Sequence, residues 1–263
     1  MEDIQQILKT MEQIVREAGA ELLNREESRK VHEKGYADFV TEVDLQVQAI
    51  VCTKLQQAYP EIQFMGEEKD NSDVDFSKAF WILDPVDGTS NLIHDLKMSA
   101  ISLGLAVNHE VVAGVIYQPY LDELFSAVKG RGAFLNGAPM RVSEPKRLKD
   151  CIVGLGTAPY HHDLADRTFD CAKQVFLHAM DIRRSGSAAL DLACVASGRL
   201  DAMFELILQP WDFAAGIILV QEAGGCITTV TGEPVDVTKP CTILATNGRI
   251  HAELRDLLTD TLQ

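Results

Sequence analysis

The chain has 263 residues, of which 46% are hydrophobic, and its mean hydropathy is close to zero. That composition is typical of a soluble globular protein with a substantial core, and no apolar run approaches the roughly 18 residues that a membrane span needs. The formal net charge of −15 argues against nucleic acid as a partner, because phosphate backbones are bound by clustered Lys and Arg.

The first half of the chain predicts two helices followed by successive strands. Apolar residues at helical spacing predict an amphipathic helix over residues 4–23, and a second helix is predicted over 44–59. Residues 29–37 break the apolar pattern and are interpreted as a loop. Apolar runs predict strands at 80–83, 99–107, 111–117, 123–128 and 133–135. Strands in direct succession favour a largely antiparallel sheet, which the two early helices would cover.

The second half alternates between strands and helices. Strands are predicted at 152–155, 182–184, 202–206, 226–229 and 242–245. Helices are predicted at 164–179, 188–197, 213–223 and about 250–258. This alternation predicts a layered α/β second lobe. The charged segment 145–150 is interpreted as the boundary between a first lobe, residues 1–145, and a second, 150–263. Without a flexible linker the two lobes would form one compact domain, 1–263, with a cleft between them as the natural site.

The six cysteines are scattered singly and form no Cys-x-x-Cys pair. The N-terminus has no basic segment followed by an apolar one, so it is not interpreted as a signal peptide. Reduced thiols are therefore expected, and with them a cytoplasmic location.

The segment 84–89 (DPVDGT) carries the strongest chemical signal. It follows an apolar run that ends in two carboxylates, Asp84 and Asp87, and then in Gly88 at what is interpreted as the start of a helix. The two carboxylates can share a cation while the Val86 carbonyl adds a further oxygen ligand. Backbone N–H groups at the helix start can bind a phosphate beside it.

Four more acids lie beside apolar segments, and each has a structural alternative. Asp44 follows Thr41 by three residues, which fits a capping box. Glu67 and Glu68 fit a charged surface loop, and Asp212 fits a cap on an apolar helix. Because a core does not tolerate so many unpaired acids, a shared cation is the interpretation that accounts for all of them.

Small residues in the segment 183–189 (RRSGSAA) precede a predicted helix. Free N–H groups at such a helix start could hold a substrate hydroxyl. Close packing of the helix through its small side chains is the alternative interpretation.

These motifs resemble the inositol monophosphatase family of Mg²⁺-dependent, Li⁺-inhibited phosphatases. The likeness is carried by 84–91 (DPVDGTSN), 211–216 (WDFAAG), 38–44 (DFVTEVD), 66–68 (GEE) and 222–225 (EAGG). The resemblance implies an α/β fold of the sugar-phosphatase type, a layered αβαβα sandwich, usually as a homodimer.

The resemblance also implies roles by motif position. The first metal and the attacking water would be held by Glu67, Asp84, the Val86 carbonyl and Thr89. The second metal would be held by Asp84, Asp87 and Asp212, with Glu68 and Asp44 supporting the sites or a weaker third ion. Glu67, Thr89 and Asp44 would be the catalytic residues. The phosphate and the alcohol would contact Asp87, Gly88, Thr89, Gly186, Ser187, Ala188, Glu205 and Asp212.

The implied function is hydrolysis of inositol monophosphate or a similar polyol phosphate by metal-activated water, with two or three Mg²⁺ per subunit. Alternatives with the same chemistry are fructose 1,6-bisphosphate, 3′-phosphoadenosine 5′-phosphate, NADP and histidinol phosphate. A regulatory protein-binding role is the alternative from another class. Asp87 is expected to have no protein partner, so that Asp87→Asn would abolish turnover without affecting folding.

Overall fold

The computed structural model describes residues 4–35 and 38–263, in which helices and sheets alternate in five layers. Its helices are α1 (Ile4–Ala18), α2 (Glu42–Ala58), α3 (Thr89–Ile93), α4 (Ala165–His178), α5 (Ala188–Ala196), α6 (Pro210–Glu222) and α7 (His251–Leu262). Its strands are β1 (Val31–Gly35), β2 (Asp38–Thr41), β3 (Gln63–Gly66), β4 (Phe80–Asp87), β5 (Ala100–Val107), β6 (Glu110–Gln118), β7 (Glu123–Val128), β8 (Ala133–Leu135), β9 (Ala138–Met140), β10 (Ile152–Leu155), β11 (Asp181–Arg183), β12 (Ala202–Leu208), β13 (Cys226–Thr228) and β14 (Cys241–Thr246).

The first sheet has seven strands in the order β3-β4-β5-β6-β7-β8-β9. Only β3 and β4 run parallel, and the other neighbours pair antiparallel, so the predicted antiparallel sheet is confirmed. Strand β4 is buried along its whole length. Because side chains alternate across a strand, Trp81 and Leu83 pack with α1 and α2, while Phe80 and Ile82 face α5 and α6.

The second sheet has five strands in the order β11-β10-β12-β14-β13. Strands β11, β10 and β12 run parallel, and β14 is antiparallel to both of its neighbours. Met203 of β12 faces α5 and α6, whereas Phe204 packs in the cluster of α4 and α7. The two outer helix pairs and the shared middle pair therefore give the αβαβα order that was predicted.

The middle helices α5 and α6 pack closely, α6 against the first sheet and the two helices against each other, because glycines lie at these contacts. A Cβ on Gly114 would lie 2.9 Å from the Ala215 Cα of α6, and one on Gly216 would lie 2.3 Å from Leu192 Cδ1 of α5. This close packing places the N-terminus of α6, with Asp212, near the end of β4, where Asp87 lies.

Some local predictions were wrong. The predicted helix 4–23 ends at Ala18, and a separate 3₁₀ turn covers Glu21–Leu23. The predicted loop 29–37 contains β1, which pairs with β2, although residues 36 and 37 lie outside the described residues. Exposed side chains at positions 31–33 explain why the sequence shows no apolar alternation there. Strand β3 was not predicted, and α6 begins at Pro210 rather than at residue 213. Within residues 4–35 and 38–263, the helices are too short or too polar for a transmembrane span.

Candidate metal centre and substrate cavity

The end of β4 is shaped by a break in its pairing with β5. The register shifts between Asp84 and Asp87, and the chain then turns at Gly88, whose φ is +92°. A Cβ on Gly88 would lie 2.9 Å from the Met98 carbonyl oxygen, so both the backbone angle and the space require glycine. Helix α3 begins at the next residue, Thr89.

Three carboxylates from two distant segments meet at this turn. Asp84, Asp87 and Asp212 each offer an oxygen, and these oxygens all lie within 4.8 Å of one another. Glu67 follows β3, the parallel neighbour of β4, and lines the same cavity. The cluster therefore draws on the ends of adjacent strands and on the first turn of α6, where Asp212 is the third residue.

One oxygen of each clustered carboxylate is held by the fold. Asp84 Oδ1 accepts a hydrogen bond from the Val86 N–H at 3.0 Å, and Asp212 Oδ2 accepts one from the Gln209 N–H at 2.7 Å. Asp87 Oδ2 accepts from both Ser187 Oγ and the Ala189 N–H, each at 2.6 Å. The expectation that Asp87 has no protein partner was therefore wrong: its carboxylate joins the end of β4 to the start of α5.

The electrostatics of the cluster favour a bound cation. Burial, followed by the charges of Glu67, Asp87 and Asp212, raises the pKa of Asp84 well above its usual value. Burial and neighbouring acids likewise raise the pKa of Asp212, and burial raises that of Asp87 to about 6 in spite of its hydrogen bonds. No described Lys, Arg or His forms an ion pair with these three acids. A set of mutually repelling oxygen ligands fits a hard divalent ion such as Mg²⁺.

Asp44 is not among the residues that line the cavity with the cluster. It is fully buried, and with Thr41 it forms the predicted capping box at the start of α2. Its other oxygen, Oδ1, lies 3.0 Å from Thr89 Oγ1, which is also 3.0 Å from the Val86 carbonyl oxygen. Burial raises the pKa of Asp44 to about 6. One carboxylate oxygen of Asp44 therefore caps α2, and the other contacts the Thr89 hydroxyl.

Glu68 is also outside the residues that line the cavity. Its backbone N–H donates to Gln48 Oε1 at 3.0 Å, and its carbonyl accepts from Gln48 Nε2 at 2.7 Å. Its charge contributes to the raised pKa of Asp44. Glu68 is therefore close enough to Asp44 for its charge to disfavour the ionised form of that acid.

The three carboxylates of the cluster line a cavity of about 500 Å³. The other predicted substrate contacts line it as well: Gly186, Ser187 and Ala188 at the start of α5, and Glu205 on β12. Glu205 is buried, and its Oε1 accepts from the Ala158 N–H at 2.9 Å. Burial raises its pKa to about 7. A Cβ on Gly156 would lie 1.8 Å from Glu205 Oε2, so this glycine leaves the room that the carboxyl occupies.

Sequence reasoning missed several residues of the cavity wall. Asp191 and Arg184 line it, as does the segment 157–161. Asp191 follows Ser187 by four residues, so helical spacing could have placed it on the same face of α5. Asn91 belongs to the strongest motif, and its Nδ2 donates to the Met98 and Ser185 carbonyl oxygens at 2.7 and 3.0 Å. It therefore ties the turn after β4 to the loop before α5.

Comparisons with known proteins find similarity along nearly the whole chain. The model of the inositol monophosphatase family matches residues 3–263. An inositol-1-monophosphatase of Synechocystis sp. is 37% identical over 263 residues, covering 99% of this chain and 91% of the relative. The Nus factor SuhB of Escherichia coli is 37% identical over 235 residues, 88% of each chain. The solved structure of the extragenic suppressor protein suhB from Bartonella henselae superposes with a TM-score of 0.91 at 38% identity, covering 96% of this chain and 98% of that chain.

Proposed function

The chain belongs to the inositol monophosphatase family, and from that premise we propose that this phosphatase hydrolyses inositol monophosphate or a similar polyol phosphate. The observation that carries the proposal is the meeting of the Asp84, Asp87 and Asp212 carboxylates in the wall of a cavity of about 500 Å³. A cavity of this size accommodates a small phosphate ester, and the acids in its wall suit metal-assisted hydrolysis.

Members of this family depend on a metal, and here the proposed ion is Mg²⁺, two or three per subunit. Asp84, Asp87 and Asp212 would hold it together with Glu67 and the Val86 carbonyl. Bound Mg²⁺ supplies positive charge that offsets the charge of the phosphate and makes a nearby water more acidic. The oxygen-only donor set and the raised pKa values of the acids support this choice of ion.

The other proposed catalytic roles are those of side chains and backbone groups of the protein rather than of the metal. Glu67 and Thr89 would orient the attacking water and accept its proton, and Asp44 would set the direction of the Thr89 hydroxyl. The backbone N–H groups of Gly88 and Thr89 would donate to the phosphate oxygens. Phosphoryl transfer needs chiefly positioning and electrostatic stabilisation, which these groups would supply.

The alcohol part of the ester would lie towards the start of α5. Gly186, Ser187 and Ala188 line the cavity there, as does Glu205. Asp87 and Asp212 would contact the ester from the metal side. The buried Glu205 carboxyl would bind a hydroxyl, because a buried polar group is stabilised by a hydrogen-bonding partner.

A substrate panel tests this function. Purified protein with Mg²⁺ is assayed against inositol monophosphate, fructose 1,6-bisphosphate, 3′-phosphoadenosine 5′-phosphate, NADP and histidinol phosphate. The highest kcat/KM is expected for inositol monophosphate, and Asp84→Asn protein serves as the control for contaminating phosphatase. If only a nucleotide is hydrolysed, the assignment to polyol phosphates is wrong.

A regulatory role is the second candidate function, and the relative named Nus factor SuhB favours it. Such a role would require a stable protein partner. Affinity capture with wild-type protein and with catalytically impaired Asp84→Asn protein tests it. Recovery of the same partner with both proteins, without turnover of any ester by the wild type, would favour regulation over catalysis.

We further propose a homodimer, Li⁺ inhibition and a cytoplasmic location. Four large apolar side chains on and after α4 are exposed, and a second copy of the chain could cover them: Phe169, Phe176, Leu177 and Met180. Light scattering tests the dimer, and titration of LiCl into the assay tests inhibition. All six cysteines are free thiols, which agrees with a reducing compartment.

A further inference from the structure

Asp191 is a buried acid in the cavity wall that the proposed chemistry does not use. It lies in the first turn of α5, and only 4% of its surface is exposed. It lines the same cavity as Glu205, and it is not a member of the cluster of Asp84, Asp87 and Asp212. A buried carboxyl lowers stability unless hydrogen bonds satisfy it, so its presence calls for a reason.

A purely structural role does not account for Asp191. A comparable buried acid, Asp201, has both oxygens bound, by Ser143 Oγ at 2.5 Å and by the Ile152 N–H at 2.7 Å. The Asp191 side chain is hydrogen-bonded by Ser185, but burial and the charge of Asp87 still raise its pKa to about 7. A carboxyl group has about four hydrogen-bonding positions, so Asp191 keeps capacity for a further partner at the cavity wall.

The groups around Asp191 indicate the kind of partner. The positive charge of Arg184 lowers the pKa of both Asp191 and Glu205, so all three groups lie within electrostatic reach of one another. Arg184 Nε donates to Thr157 Oγ1 at 3.0 Å, which holds the guanidinium at the cavity wall. Carboxyl acceptors facing a guanidinium donor match hydroxyl groups, because each hydroxyl both donates and accepts.

We propose that Asp191 is a specificity-determining residue that binds a hydroxyl of the alcohol part, so that the site selects phosphate esters of polyhydroxylated alcohols. This inference rests on the proposed function and deepens it. The metal cluster would bind the phosphate end of any small ester. Asp191 and Glu205, which line the same cavity, would distinguish a polyol from an alcohol that has no other hydroxyl.

A size-matched pair of substrates tests the inference. Inositol monophosphate and cyclohexyl phosphate share a six-membered ring, and only the first carries further hydroxyl groups. For the wild type with Mg²⁺, kcat/KM is expected to be at least about 100-fold higher for inositol monophosphate, as two or more hydrogen bonds would give. Asp191→Asn and Asp191→Leu should each raise KM for inositol monophosphate about tenfold, with kcat and both constants for cyclohexyl phosphate changed less than about threefold.

The control variant is Asp201→Asn, which alters a buried acid of the same lobe that does not line the cavity. It should leave the ratio between the two substrates unchanged. If the Asp191 variants keep the wild-type ratio, or lose activity equally on both esters, the inference is wrong while the proposed function stands. If the wild type hydrolyses cyclohexyl phosphate but no polyol phosphate, both are wrong. Should the Asp191 variants fold poorly, inhibition of the wild type by free inositol but not by cyclohexanol supports the inference, and equal inhibition contradicts it.

Discussion

Buried acids in this molecule have two kinds of surroundings: hydrogen-bond donors on both oxygens, or other carboxylates close by. Asp201, which does not line the cavity, has hydrogen-bond donors on both oxygens, from Ser143 and Ile152. In the cavity, Asp84, Asp87 and Asp212 bring their carboxylates within 4.8 Å of one another. There, one oxygen of each is bonded to the fold in the described part of the chain. The difference teaches that an oxygen left without a donor among the described residues, rather than burial itself, distinguishes the acids proposed to bind a metal from an acid such as Asp201.

The largest expected effect is on turnover. Asp84→Asn should lower kcat by at least about 10³-fold, because a metal site contributes several kcal/mol to charge stabilisation in the transition state. Asp201→Asn should keep kcat within about twofold of the wild type, since Asp201 does not line the cavity. Steady-state assays with Mg²⁺ check both. Comparable losses of kcat in the two variants would mean that the cavity acids contribute no more to turnover than Asp201 does.

Variants of the cavity acids and of Asp201 should also differ in how much Mg²⁺ stabilises the folded protein. Added Mg²⁺ at 100 times its Kd should stabilise the wild type by about 2.7 kcal/mol, because it binds the folded state alone. Asp201→Asn should show the same gain, and Asp84→Asn a much smaller one. Thermal unfolding with Mg²⁺ and with EDTA measures these shifts, and EDTA should also abolish turnover. A gain that is unchanged in Asp84→Asn would place the metal elsewhere.

In metal-free protein, Asp201→Asn should be the more damaging of the two variants. Asp201→Asn should lower the free energy of unfolding by about 1–3 kcal/mol, because the amide leaves a buried donor of Ser143 or Ile152 unsatisfied. Asp84→Asn should not destabilise, since it removes repulsion from Glu67, Asp87 and Asp212. Urea denaturation in EDTA measures both values. A destabilised Asp84→Asn protein would mean that this acid also holds the fold.

The smallest expected effect concerns pH. The folded pKa of Asp191 is about 7, above its ordinary 3.8, so the folded state disfavours the ionised form. The resulting loss of stability grows as the pH rises from about 4 to 7 and is constant above that. In metal-free protein, Asp191→Asn should therefore raise Tm by a few degrees at pH 8 and by less at pH 5.5. An equal difference at both pH values would contradict the pKa shift.

Much of the fold was predictable because the spacing of apolar residues along the sequence indicates which face of a helix or strand is buried. Strands β4 to β8 of the first sheet and the helices of the second half lie close to their predicted positions, whereas β3 and β9 were not predicted. The antiparallel pair of β1 and β2 was missed since residues 31–33 of β1 are exposed and carry no such pattern. In the site, the capping box of Thr41 and Asp44 was predicted from spacing and is present.

Other features of the site required contacts between distant segments. The bonds from Ser187 and Ala189 to Asp87 join the end of β4 to the start of α5, and no local pattern around Asp87 indicates them. Asp191 was overlooked because one acid inside an apolar helix has the same sequence signature whether it faces a cavity or a hydrogen-bonding partner.

Local sequence was enough to identify the acids that follow apolar strands and the glycine turn beside them. These features depend on neighbouring residues and on backbone angles, as at Gly88. The packing of α5 and α6 between the two sheets decided which acids meet, and how each carboxylate is directed. Distances between carboxylates of remote segments depend on the whole core, since close-packed side chains set the positions of the helices and strands.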